Sequence, residues 1–213
     1  MGKKIITAIV LSILIISSVS YAIHSKSKRD LESELTKYGQ ITKDRIESKK
    51  GNRIEVMKGE QIVIYKGDYD AVTRELINIG VEEKQAKSDA EKMLLRKEAL
   101  YILARNKGIE VSDQEVLDVI KVNKQQSKKA SNYDTFVTFL DGADMTLGEY
   151  WDSQFDSLKK SMTVSKYKEE YLKSSDKYGE FEIGTPEYNL SVEKEFNKIA
   201  DDFIEKDNVV SLD

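Results

Sequence analysis

The sequence predicts a mainly helical fold with one small β-hairpin and a returning C-terminal helix, all behind an N-terminal apolar leader. Three observations predict it. From Tyr69 onward the apolar residues recur at about 3.6-residue spacing. Two complete capping boxes, Ser112 to Glu115 and Thr146 to Glu149, mark helix starts. The stretch Ile5 to Ile23 is apolar, broken only by small hydroxylated residues and Tyr21.

The leader comes first in the chain. Met1-Gly2-Lys3-Lys4 precedes a hydrophobic core, Ile5 to Ile16, of about 12 residues, within the ~7–15 expected of a signal peptide. Ser20-Tyr21-Ala22 sets small residues at positions −3 and −1 of a cleavage site after Ala22. The whole run also approaches the ~20 residues a helix needs to cross a bilayer. Residues 1–23 therefore read as a cleaved signal peptide or as an uncleaved signal anchor that holds the chain to a membrane. Either way the expected location is extracytoplasmic, secreted or anchored to the cell membrane.

Composition narrows the function. The 213 residues carry 34 basic and 38 acidic side chains, a formal charge of −4. That balance lacks the basic excess of nucleic-acid-binding domains, so nucleic acid is not an expected partner. Cysteine is absent, which excludes disulfides, thiolate metal sites, cysteine nucleophiles and a lipid-modified cysteine anchor. The lone histidine, His24, adjoins the leader, which leaves no histidine-based triad or paired-histidine site. No cofactor and no metal site are expected.

Residues 24–52 are polar, with sparse anchors at Leu31, Leu35, Tyr38, Ile41 and Ile46, and read as a stalk or marginal helix. Residues 53–213 read as one helical domain. Ile54 to Met57 and Ile62 to Tyr65 are β-rich runs joined by Lys58-Gly59-Glu60-Gln61, a hairpin in which Gly59 is expected to supply a positive φ. Tyr69, Val72 and Leu76 share a helical face that Gly80 ends. Ala86 to Ala104 carry the stripe of a long helix stopped at Gly108. Ser112 opens a helix bearing Val116, Val119 and Ile120. A short helix follows with Phe136, Val137, Phe139 and Leu140, ending at Gly142. Thr146 then opens a long helix with Leu147, Tyr150, Trp151, Phe155, Leu158 and Met162 near one face. Lys173 to Leu190 reads as a linker. Ser191 is the expected N-cap of a last helix bearing Val192, Phe196, Ile199, Ala200 and Phe203, with Val209-Val210 as a terminal strand.

The order of these pieces resembles the chaperone domain of the SurA/PrsA foldases. A short strand and turn at Ile62 to Tyr69, with Lys66-Gly67-Asp68 at the turn, lead into a helix. A long helix then ends at Ala104-Arg105-Asn106-Lys107-Gly108-Ile109. Val111 to Val116 resemble the family's Val-Ser-Asp-x-Glu-Val opening, and Met145 to Tyr150 its Met-Thr-x-x-Glu-Tyr opening. Together these cover about half the chain. The family often carries a parvulin-type peptidyl-prolyl isomerase domain before its returning helix. Here the interval Lys173 to Leu190 is too short for a domain of at least ~50 residues. The resemblance therefore implies a SurA N-domain-like module without isomerase catalysis, an ATP-independent chaperone that binds unfolded or partly folded exported polypeptides. The rival expectation is a cell-envelope protein that uses the same scaffold to bind one folded partner. An isomerase with an unorthodox site is the remaining alternative.

Phe136, Phe139, Leu140, Met145, Tyr150, Trp151 and Phe155 are the candidate client-binding residues. As core they join two helices; as a cleft they would hold extended apolar segments, since exposed apolar area signals interaction. Trp151 is the member expected to be partly exposed. The paired acids Asp141 with Asp144, Glu169 with Glu170, and Asp201 with Asp202 are weighed and set aside as a catalytic or metal site. Adjacent helical residues diverge by about 100°, so the last two pairs do not share a face.

Overall fold

The structure is a computed structural model that describes residues 28–49, 53–174 and 185–212. Among these residues there are eight helices and one three-stranded antiparallel sheet. The leader, and most of the interval expected to be a linker, lie outside them. None of the described helices is long and apolar enough to cross a membrane.

Helix α1 (Lys28–Ser48) precedes the hairpin of β1 (Glu55–Lys58) and β2 (Val63–Tyr65). Strand β3 (Val210–Ser211) joins β1 on its other edge, giving the order β2-β1-β3. Opposite β2 the register of β1 slips between Glu55 and Met57, so that Val56 and Met57 are both buried although adjacent. The hairpin turn differs from expectation. Gly59 does not adopt a positive φ, which among the described glycines belongs to Gly80 and Gly108. Gly59 is required by proximity instead, because a Cβ there would lie 2.6 Å from the backbone oxygen of Asp207. Asp207 organises this turn. Its backbone carbonyl accepts from Glu60 N at 3.0 Å, and its carboxylate accepts from Gln61 N and Ile62 N, both at 2.9 Å.

Helix α2 (Lys66–Asn78) starts directly from β2, so Lys66-Gly67-Asp68 is its first turn and not a separate loop. It ends at Gly80, whose left-handed backbone lets Gly80 N and Val81 N reach back to Ile77 O and Leu76 O. Helix α3 (Glu83–Asn106) ends the same way: Gly108 N donates to Arg105 O and Ile109 N to Ala104 O. Both expected capping boxes are present, opening α4 (Asp113–Ser127) and α6 (Leu147–Ser153). Between them lies α5 (Tyr133–Ala143), which continues through Gly142 and turns at Asp144 with φ 52°. The long helix expected from Thr146 is interrupted at Gln154 and resumes as α7 (Phe155–Lys173).

Helix α8 (Pro186–Lys206) begins six residues before the expected start. Thr185 is its N-cap, accepting from Tyr188 N, and Pro186 occupies the first turn, where its missing N–H costs nothing. Ser191 is an interior residue. The principal core unites the sheet with α3, α7 and α8 around Leu95, Leu100, Tyr167, Phe196 and Ala200. A second core joins α4, α6 and α7 through Val111, Val116, Ile120 and Trp151.

Residues 28–48, expected as a polar stalk or marginal helix, form α1 and pack on α5 and α2. Leu35, Gly39 and Ile41 are its buried positions. Neither core contains any of them. The reason for the difference is glycine. A Cβ on Gly39 would lie 2.5 Å from Ala143 N, and one on Gly142 would lie 2.6 Å from Thr36 Cα. With hydrogens in those places, the two helix backbones touch, and α1 docks with Leu35 and Ile41 buried and Leu31, Tyr38 and Ile46 half-buried.

Candidate functional site

Phe136, Leu140 and Ala143 follow offsets of 4 and 7 in α5 and are its buried residues. The Thr146 capping box fixes the start of α6 and thereby the places of Tyr150 and Trp151. Thr146 Oγ1 accepts from Glu149 N, while the Glu149 carboxylate accepts from Thr146 N at 2.8 Å. The two helices bring four rings together. Phe136 stacks on Phe139 with centroids 5.8 Å apart and meets Tyr150 edge-on at 5.3 Å. Tyr150 meets Phe139 at 5.5 Å and Trp151 at 5.2 Å, again edge-on. Such edge-to-face pairs contribute about 0.5–1.5 kcal/mol each beyond area burial.

Trp151 is not the exposed member of the set. It is 6% exposed, because Phe136 and Tyr150 cover the indole while Val111, Val116 and Ile120 pack with it in the second core. Its Nε1 has no hydrogen-bond partner among the described residues. Phe136 and Leu140 are buried as well. Phe139, Met145, Tyr150 and Phe155 are half-buried, and Phe155 packs against the second core. The structure thus brings Phe136, Phe139, Tyr150 and Trp151 together as an aromatic layer across α5 and α6, with Phe155 placed at the start of α7.

A charged crevice borders this layer, built by residues the sequence did not single out. Arg45 of α1 donates from Nε to Asp68 of α2 at 2.8 Å, and Lys49 Nζ lies 3.6 Å from the same carboxylate. Burial alone would raise the Asp68 carboxyl, but Arg45 and Lys49 outweigh it and hold the group below the usual range. Burial raises the Glu75 carboxyl, against the pull of Arg45 and Lys97. Burial likewise depresses the Lys97 ammonium, with Arg45 adding to the effect. The Tyr150 hydroxyl is pushed up to about 12 by burial, opposed by Arg45. Arg45 of α1 thus acts electrostatically on Tyr150 of α6. A cavity of about 280 Å³ opens nearby, lined in part by Lys49, Arg53, Tyr65 and Asp68.

The arrangement offers apolar ring surface flanked by charge. Asp144 is paired with Lys43, Asp201 with Arg96, and Glu169 with Lys173. No group of three or more His, Asp or Glu residues that could hold a metal occurs among the described residues. Gly39 and Gly142 did leave a signal in the sequence. Glycine inside a helix costs about 0.5–1 kcal/mol relative to alanine, so its presence there calls for a close approach.

In comparisons with known proteins, no family model, no curated protein and no solved structure matches the chain. Fold and site together define a mainly helical protein with a small antiparallel sheet and an aromatic layer outside its principal core.

Proposed function

We propose that this chain is an ATP-independent, extracytoplasmic, foldase-like chaperone that binds unfolded exported polypeptides without isomerase catalysis. The reading rests on the resemblance of its ordered motifs to SurA/PrsA chaperone domains and on the apolar leader. The single structural observation that supports it is the aromatic layer. Phe139 on α5, Met145 between α5 and α6, Tyr150 on α6 and Phe155 at the start of α7 keep part of their surface accessible. An apolar rim beside charged groups suits extended client segments, whose side chains alternate between apolar and polar. The large complement of charged residues, 34% of the chain, keeps such a holder soluble while its rings remain available.

The test is suppression of aggregation. Light scattering of a chemically denatured client, diluted into buffer with stoichiometric protein, should fall. The Phe139→Ala/Met145→Ser variant should lose that protection while its circular dichroism stays unchanged. If the unmodified protein protects no denatured client, the reading is wrong. Capture of one folded partner at fixed stoichiometry, with no unfolded clients, would establish the cell-envelope interaction protein in its place.

A further inference from the structure

The end of α1, the entry to β1 and the start of α2 meet around one recess. Two contacts close these segments on each other. Lys66 N donates to Ile54 O at 2.8 Å, which ties the first residue of α2 to the residue before β1. Gly67 admits α1, because a Cβ there would lie 2.6 Å from Ser48 Cβ. Between the three segments lies the cavity of about 280 Å³. Sites for drug-sized ligands run to ~300–1,000 Å³, so this one suits a small group and not a large cofactor.

The charges around the recess do not balance. Arg45 is answered by Asp68 at 2.8 Å, and Lys66 by the two oxygens of Asp70 at 3.0 and 2.8 Å. Lys49 only shares Asp68, at the longer distance of 3.6 Å. Burial holds its ammonium below the usual lysine range, against the pull of Asp68 and the smaller one of Asp156. Arg53 lies with its guanidinium 5.1 Å from the Tyr65 ring centroid, and no carboxylate among the described residues pairs with it. Positive charge is therefore in excess at Lys49 and Arg53. An arginine laid on an aromatic ring keeps its planar fork of donors free for a carboxylate. Exposed Ile54 and the half-buried Tyr65 give the recess an apolar wall beside that fork.

We infer that this recess binds the C-terminal carboxylate of an extended polypeptide that ends in an apolar residue. Arg53 and Lys49 hold the carboxylate, while Ile54 and the Tyr65 ring take the last side chain. A chain end fits better than an acidic side chain, since it brings a charge and an apolar group on one Cα. It also fits better than inorganic phosphate, which has no apolar face and would turn oxygens toward Asp68. That the chain end belongs to an unfolded client rests on the chaperone reading, whereas the recess and its charge rest on the structure.

Fluorescence anisotropy on the full chain tests it, with a rhodamine-labelled glycine–serine peptide ending in leucine. The free acid should bind at least ~10-fold more tightly than the same peptide as its C-terminal amide, the loss expected of one charge-assisted contact. Arg53→Gln and Lys49→Gln should each weaken the free acid to a similar extent and leave the amide unchanged. Arg53 is exposed and Lys49 half-buried, so both variants should keep the parent's circular dichroism. Lys92→Gln, which removes the same charge from an exposed site on α3, should change nothing. Equal binding of acid and amide would overturn the inference, and so would an equal loss in Lys92→Gln. Equal binding by an amide that carries an internal glutamate would overturn the choice of the chain end. Stronger competition by inorganic phosphate than by acetate would overturn the choice of a carboxylate. Binding of the free acid with no denatured client protected would sink the chaperone reading and leave the recess standing. Protection of clients with no binding of the free acid would do the opposite.

Discussion

Phe196 and Gly39 each stand at the centre of a helix contact, and they hold it in opposite ways. Phe196 is 1% exposed and meets Tyr167 and Tyr171 edge-on at 6.1 and 5.2 Å, so α8 is locked to α7 by ring surface. Gly39 contributes no side chain and brings α1 against the backbone of α5. The first contact removes a large apolar area from water, the dominant favourable term in folding. The second combines close backbone packing at Gly39 and Gly142 with the buried side chains of Leu35 and Ile41 and with ion pairs. One contact is made by rings, and the other by the close approach of two backbones.

Breaking the first contact should have the largest effect. Phe196→Ala should destabilise the whole domain by about 3–5 kcal/mol, read as a lower denaturation midpoint in urea. Asp207→Ala comes next. It strips the acceptor from Gln61 N and buried Ile62 N, and should cost about 2–3 kcal/mol by the same assay, with the sheet amides losing protection first. Thr146→Ala should cost about 1 kcal/mol by removing one half of a capping box. On the other side of the comparison, Gly142→Ala should leave the body's midpoint nearly unchanged while the amides of α1 exchange faster, because the added methyl pushes Thr36 away.

The smallest expected effect is one of pH. Burial raises Glu75 above its unfolded value, so the folded state holds the proton more tightly. Stability is therefore greatest below the unfolded pKa of this carboxyl and falls as pH rises through the folded one. Glu75→Gln should be slightly more stable than the parent at neutral pH, and the two should converge in acid. A neutral-pH loss of stability would instead mean that the attraction of Arg45 and Lys97 outweighs burial.

The body was readable because its helices carry their own punctuation. Ser112 and Thr146 with their glutamates, and Gly80 and Gly108 with their left-handed turns, each fix an end through hydrogen bonds among near neighbours. The same fact limits the resemblance at Lys107-Gly108-Ile109, whose residues also make an ordinary helix stop. The α1–α5 contact left only two glycines as a trace, and one of them, Gly142, read as a helix end. Thr185-Pro186 was passed over for Ser191 because the apolar stripe of α8 starts late, at Val192, whereas its first turn is polar. The aromatic set was found as a group, but the burial of Trp151 depends on Val111, Val116 and Ile120, which reach it from elsewhere in the chain. Periodicity along a single helix cannot show such cover. Arg45, Glu75 and Lys97 were missed for the same reason, since three different helices bring them together.

Native-state hydrogen exchange across a series of low urea concentrations tests the central claim most directly. The amides of α3 and the sheet, which share the principal core, should exchange through global unfolding, and those of α1 and α5, which lie outside it, at a lower free energy. Exchange of α1 and α5 only through the global unfolding that releases α3 would contradict it.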